Sequence, residues 1–450
     1  MPRLRTLALN VEPLRAHRDF RLIFFGQVIN NLGSQATQVA LPYQLYLLTG
    51  SALALGALAT IQLVAILGFS LAGGAIADAM DRRRLLLCTQ TGLCSVSTAL
   101  AVLALLQRTA PWHIFVLAFA QAVFFAVDRP ARQAILPRLV SRDRLTAAIA
   151  LNQAGVKAAQ VTGPGLGGVL IASLGLGAAF GLDAVSFIAG LAALASIPAL
   201  APLGEAARPG WTTIREGLQY VVRAPAVLSA FAVDLDAMIF GLPVALFPIL
   251  ALQQFHAGPT GLGLLVSAPA AGAVLGVATS GWLRGVRFPG RVVIGMVALW
   301  GLAITLFGLT PYLPVALLFL AVGGAADAIS AILRWTIIQL NAPDHLRGRV
   351  TSLNSMVVNA GPRLGDVEAT SVAALTNAQV AVVSGGLLCL LGLVFVVRWF
   401  PVLASYDVTE YRVSGAESRV PGPDPGVAAA AAAAEAASAE TLPAGPSPAV

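Results

Sequence analysis

Charge is what this chain has least of. Only 11% of its 450 residues are Asp, Glu, Lys or Arg, and 57% are hydrophobic, whereas soluble domains carry about 25% charged residues. So few charges cannot clothe a water-facing surface, but they suit one facing lipid. Lysine is nearly absent: Lys157 stands alone among 28 basic residues. It follows Val156, so no Gly-x-x-x-x-Gly-Lys phosphate loop can form here, and an ATP-driven pump would need that motif on this chain or on a partner chain. Cys88, Cys94 and Cys389 fall inside apolar runs and read as packing residues. The four histidines (His17, His113, His256, His345) are scattered, so neither a metal site nor a cofactor is expected. The net charge of +7 does not imply nucleic acid, because the arginines sit in short clusters between apolar runs. No secretory leader is expected, since residues 1–21 are polar and basic and the next apolar run continues as a span.

What is abundant is long apolar sequence. Runs suited to crossing a bilayer fall near 20–46, 52–77, 85–107, 112–138, 146–173, 178–200, 226–253, 260–285, 291–310, 313–340, 350–375 and 378–401. Lipid offers backbone groups no partners, and the runs lack two-residue alternation, so helices are expected rather than a barrel. The expected fold is an all-α membrane protein of twelve helices in two pseudo-symmetric six-helix halves.

Arginine orients the bundle. Clusters occupy the N-terminus (Arg3, Arg5, Arg15, Arg18, Arg21) and the even-numbered connections, such as Arg82 to Arg84, Arg138 to Arg144, and Arg347 with Arg349. Among odd-numbered connections Arg108 is the exception. Positive charge stays cytoplasmic, so both termini are expected inside a bacterial plasma membrane. The expected division is a cytoplasmic N-terminus (1–19), a first half (20–200), a cytoplasmic linker (201–225), a second half (226–402) and a disordered cytoplasmic tail (403–450) rich in Ala, Pro, Gly and Ser. A weak repeat about 200 residues apart pairs Leu151-Asn152 with Leu353-Asn354, Gly163 with Gly365, and Gly56 with Gly263. A monomer in the bilayer is expected.

Two motifs stand out. The second connection reads Gly73-Gly74-Ala75-Ile76-Ala77-Asp78-Ala79-Met80-Asp81-Arg82-Arg83-Arg84. Its glycines allow close helix approach, and Asp78 can pair with arginine or face a helix N-terminus. The bland reading is an ordinary loop with positive-inside arginines. The fifth span carries Gly163-Pro164-Gly165-Leu166-Gly167-Gly168, where proline removes a backbone hydrogen bond and glycines admit a neighbour, giving a kinked, tightly packed hinge.

Ionisable residues inside spans cost roughly 2.5–3.5 kcal/mol each and usually face a cavity or a partner. Asp128, Arg129, Arg132, Lys157, Asp183, Asp234, Asp236, Asp327, Arg334, Arg363, Asp366 and Glu368 all fall there. Asp128, with Lys157 or Arg129 as charge partner, is the first candidate for carrying a proton; Asp234 and Asp236 come second, and Asp327 and Arg334 complete the set. Arg363 reads as a structural pair with Asp366 or Glu368, while Arg129, Arg132 and Arg334 could snorkel to the cytoplasmic face. In the first span Gln27, Asn31, Ser34, Gln35 and Gln38 form a polar stripe expected to line a pathway, joined by Gln62 and Asn359.

The loop containing Gly74, Asp78, Arg82 and Arg83 resembles the signature loop of the major facilitator superfamily, usually G-x-x-x-D-x-x-G-R-R, with Asp81 in place of the later glycine. Gly163, Pro164, Gly167 and Gly168 resemble the antiporter motif of exporters in that superfamily. Arg129-Pro130-Ala131-Arg132-Gln133-Ala134, residues 144–152, residues 343–350 and the Gly365-Asp366 pair resemble the subgroup of the enterobactin exporter and macrolide-efflux proteins. This resemblance, covering about residues 18–402, implies alternating access, a latch at the signature loop, and proton-driven export of a siderophore or drug-like small molecule. A membrane-embedded enzyme would need a convergent nucleophile, base or metal set, and the sequence displays none; a scaffold or sensor remains the third alternative. Cysteine labelling from the two faces of the membrane should place residues 78–84 and 342–349 on the same side, and labelling from opposite sides would overturn the layout.

Overall fold

The computed structural model describes residues 10–198 and 211–408, with the side chains of 70–79, 134, 211–214, 284 and 345 outside the description. Each expected span falls on a helix. In the first half these are α1 (Arg18–Thr49), α2 (Ala52–Ala79), α3 (Arg82–Leu105), α4 (Pro111–Leu139), α5 (Leu145–Leu174) and α6 (Leu176–Ala195). In the second they are α7 (Pro225–Phe240), α8 (Gly258–Ala278), α9 (Pro289–Leu309), α10 (Leu313–Asn341), α11 (Asp344–Leu375) and α12 (Ala378–Trp399). Among the described residues no strand occurs. Nine of the described helical stretches are long and apolar enough to cross a membrane by composition alone. The three that fall short, α1, α5 and α11, carry the polar residues singled out above. The alternating direction of the helices puts the start of α1 and the end of α12 at one end of the bundle, here the terminal end; the opposite end is the distal end.

Local chemistry sets the helix limits. Gly50 ends α1 with a left-handed backbone (φ +61°), and its N–H donates to the Tyr46 carbonyl at 2.8 Å. Asp81 caps α3, its carboxylate accepting the Arg84 N–H at 2.9 Å, which is what an acid does where the superfamily pattern has glycine. Asn377 caps α12 through the Val380 N–H, also at 2.9 Å.

The seventh span departs from the continuous helix expected for 226–253. Helix α7 stops at Gly241, irregular turns run through Pro243, and the chain resumes as short helical pieces to Gln254. Pro243 has no N–H to donate, and Gly241 lies against Trp300 and the Ala237 carbonyl, where a side chain would collide. One freed donor finds its partner on α11. The Asp366 carboxylate accepts the Ala245 N–H at 2.9 Å, and Gly365 lets the α11 backbone meet the Met238 and Ile239 carbonyls.

Within each half the helices pack closely, α1 and α3 on α6 and α1 on α5, then α8 and α9 on α10 and α9 on α12. The two halves meet chiefly through α5 against α8 and α2 against α11. The repeat seen in the sequence holds in space: Gly163 lets α5 press on α1 at Gln35, and Gly365 lets α11 press on α7.

The linker contains a helix, Trp211–Arg223, with Val221 buried and Leu218 and Val222 exposed. Glu216 forms an ion pair with Arg349 at the start of α11, and the Tyr220 hydroxyl donates to the Asn341 carbonyl. Residues 403–408, expected within the unstructured tail, are instead packed on the bundle, and the rest of that tail lies outside the described residues. Residues 402–408 dock on the terminal end, with Leu403 buried, Arg287 paired to Asp407 at 2.7 Å, and Arg291 donating to the Ala404 carbonyl at 3.0 Å.

Replacing Asp366 with Ala should lower stability by about 1–3 kcal/mol, the usual cost of an unsatisfied buried donor. Thermal unfolding of the purified protein in detergent checks this; an unchanged transition would remove Asp366 as the support of the α7 break.

Candidate functional site

The candidate site is the space between the halves, and helix periodicity defines its walls. On α5, Gly168 packs on the other half: a methyl group there would lie 3.1 Å from the Gly263 Cα. Three turns toward the terminal end the same face presents Lys157, and then Gln153, both exposed. On α11, Thr370 packs against Gly56 of α2, and three turns away the same face presents the exposed Asn359. The walls thus touch distally and expose polar groups below that contact.

The distal contact is specific. Pro164 and the glycines around it bring α5 against α8 so closely that the Gly165 N–H donates to the Ser267 hydroxyl at 3.1 Å. Helix α5 nevertheless runs unbroken through Pro164. Gly163 and Gly167 face α1 inside the first half, so only part of the motif serves the junction. Beside it Gln253, at the end of the broken seventh span, donates to the Tyr46 hydroxyl of α1 at 2.8 Å. Below this seal Arg129 on α4 reaches across the gap and donates to the Asn359 side-chain carbonyl at 2.6 Å. Gln38 is exposed, and Gln27, Asn31, Gln35 and Gln62 are half-buried.

Two halves that touch at one end and expose polar and charged groups below that contact are an arrangement that transporters use. Residues 9–417 match the transmembrane secretion effector family of the major facilitator superfamily. The chain belongs to this family. It is 30% identical to the enterobactin exporter EntS of Citrobacter koseri over 388 residues, 86% of this chain and 92% of that protein. It is also 30% identical to EntS of Shigella boydii over 77% of this chain and 83% of the relative. Among solved structures, a mutant of the nucleoside transporter NupG superposes with a TM-score of 0.70 at 14% identity, covering 86% of this chain and 99% of that one. A POT family transporter in complex with 5-aminolevulinic acid gives 0.69 at 13% identity, over 86% and 97%. The fold is that of a major facilitator transporter.

Most charges inside the transporter are matched locally, which corrects several partners expected from sequence. Asp128 pairs with Arg132 one turn along α4 at 2.8 Å and accepts the Thr89 hydroxyl at 2.9 Å; the contact partner is Arg132 and not Lys157, while Arg129 acts on Asp128 through charge without an ion-pair contact. Arg132 therefore does not snorkel. Nor does Arg334, which is buried on α10 between Asp234 at 2.6 Å and the half-exposed Asp327 at 3.3 Å, and donates to Ser330 at 2.6 Å. Arg363 pairs with Asp366 at 3.3 Å, as expected. Asp236 turns away from the gap and lies against Gly392 of α12.

Ser34 belongs to the core and not to the pathway stripe. It donates to the fully buried Asp183 at 3.1 Å, alongside Thr37 at 2.8 Å and Ser97 at 2.7 Å, and so ties α1, α3 and α6 together. Spacing placed Ser34 on the polar face, but the acid opposite it is on another helix and has no local sequence signal. The Tyr46–Gln253 and Gly165–Ser267 contacts are likewise invisible in the sequence.

The side chains of Gly74 and Asp78 in the signature loop lie outside the described residues. Of the loop's arginines, Arg83 donates to the Leu194 and Ala195 carbonyls at 3.0 and 2.7 Å, holding the C-terminal end of α6.

Arg334→Met should cost about 3–5 kcal/mol because it strands the buried Asp234 carboxylate. Adding Asp234→Asn should recover most of that loss, and thermal unfolding of both variants reads the difference. Equal instability of the single and double variants would contradict the pairing.

Proposed function

We propose that the chain is a secondary exporter of a small molecule in a bacterial plasma membrane, working by alternating access with proton antiport. The observation that carries this reading is the distal seal over an exposed, charged gap. Positive-inside orientation puts the arginine-rich terminal end in the cytoplasm. The seal of Gly168 on Gly263, Gly165 on Ser267 and Tyr46 on Gln253 then closes the outer face, and the gap is reached from inside. An exporter loads its cargo in that conformation. The EntS relatives, named as enterobactin exporters, favour a siderophore-type cargo; macrolide or multidrug efflux is the second reading, carried by the same Gly163 to Gly168 motif.

The coupling group we favour is the Asp327–Arg334–Asp234 cluster. One cation faces two carboxylates, so the cluster carries a net negative charge when all three are ionised, and binding a proton neutralises it. Asp327 is half-exposed and gives that proton a route to water. The Asp128–Arg132 pair is already balanced, which makes it the weaker candidate. The electrical part of the driving force is about 2.3 kcal/mol per charge per 100 mV. Asp78 and its arginines would act as the latch on the cytoplasmic side.

Transport in proteoliposomes tests the reading. Labelled enterobactin should show counterflow, with a labelled macrolide as the second cargo; movement of neither would reject export of either class. Disulfide formation in a Tyr46→Cys, Gln253→Cys double variant should arrest counterflow, and reduction should restore it. Asp327→Asn should lose transport driven by a pH gradient while keeping counterflow, because a carboxamide cannot release a proton; full gradient-driven transport would exclude Asp327. Asp78→Asn should impair cycling more than binding, and an equal loss of both would contradict the latch.

A further inference from the structure

The charges lining the gap do not balance. Arg129 is exposed, and its partner across the gap is the neutral Asn359. Arg363, one turn from Asn359 on the same face of α11, is close enough to repel Arg129, and its own charge is met by Asp366. Lys157 is exposed near the middle of α5, and its partner is the neutral Gln160 at 3.0 Å. The acids facing this region are already engaged or point elsewhere. Asp128 is buried on Arg132, and Asp327 leans on Arg334. Glu368 lies nine residues from Asn359, on the opposite face of α11. Among the described residues, the gap therefore holds two basic groups, Arg129 and Lys157, whose hydrogen bonds go to amides; the carboxylate that acts on the Arg129 charge, Asp128, is already paired with Arg132.

A cation inside a span is expensive unless water or a counter-charge meets it. Every other described arginine within the spans has a carboxylate or a helix-end carbonyl to offset that cost, or lies near a helix end. Arg129 and Lys157 stand on two different helices of the first half; both are exposed, Arg129 reaches Asn359 of the second half, and Lys157 lies on the α5 face that carries Gly168. We propose that this gap is a binding site for an organic anion, in which Arg129 and Lys157 grip the acidic group (carboxylate, sulfonate or ionised phenol) of the cargo. The proposal rests on reading the gap as the transport pathway, and it separates the two cargo classes above: an acidic molecule fits, and a cationic amine is repelled. When no cargo is bound, Asn359 and Gln160 occupy the donors that the anion would take.

Two probes of matched shape and opposite charge test this: 1-naphthalenesulfonate and 1-naphthylmethylammonium, titrated by calorimetry into the full-length protein in nanodiscs, with empty nanodiscs subtracted. The sulfonate should bind, the ammonium should bind at least tenfold more weakly, and added salt should weaken the sulfonate. Lys157→Gln with Arg129→Gln should lower sulfonate affinity tenfold or more, and Lys157→Arg should keep it. Lys157→Glu should turn the preference toward the ammonium, an outcome that general destabilisation cannot produce. Equal binding of the two probes, or sulfonate binding unchanged in the double variant, would overturn the proposal. Counterflow of labelled enterobactin or macrolide with no charge preference between the probes would leave export standing and remove the anion site. Charge-selective binding without counterflow of any labelled compound would do the reverse.

Discussion

A charge placed in lipid must be matched by a partner or reached by water, and the design of this molecule follows from that rule. Asp183 meets it with three hydroxyls, Asp128 with Arg132 and Thr89, and Asp366 with Arg363 and the Ala245 N–H. These nodes hold helices of the same half together. Because a buried acid stripped of its partners is penalised heavily, each node also fixes the rotation of the helices that carry it. Arg129 and Lys157 fall under its other clause, since both are exposed. Rigid halves and exposed basic groups between them thus share one physical origin.

Small residues do the complementary work. Where the halves meet, Gly168 faces Gly263, so backbone approaches backbone, and Gly56 admits the Thr370 side chain. Such contacts bury little polar surface and contain no ion pair, so they can part without stranding a charge. The polar contacts at the same end, Tyr46 with Gln253 and Gly165 with Ser267, are neutral and can exchange their partners for water. A seal built this way suits an interface that opens and closes repeatedly.

The helices were legible because hydrophobic run length is a local property, and α2, α4 and α9 follow their apolar runs closely. The internal repeat was legible for a similar reason: Gly163 and Gly365 mark the same packing role in each half. The break in the seventh span was not, since Gly241 and Pro243 only permit it and the group that stabilises it, Asp366, is more than a hundred residues away. Charge partners failed in the same manner. The sequence identified Arg334 and Asp234 as costly, but a 3.6-residue period says nothing of which neighbouring helix answers; Asp128 and Arg132, four residues apart on α4, had the spacing of a local pair all along. Arg363 with Asp366 succeeded because both sit on one helix, three residues apart.

Lys157 has one more property. It supplies the chain's sole ε-amine, and it stands in the seam between the halves. Reagents that acylate primary amines therefore meet one side chain on this molecule, apart from the α-amino group. The rate at which that side chain is modified becomes a native gauge of how far the seam stands ajar, without an introduced cysteine or a fluorophore.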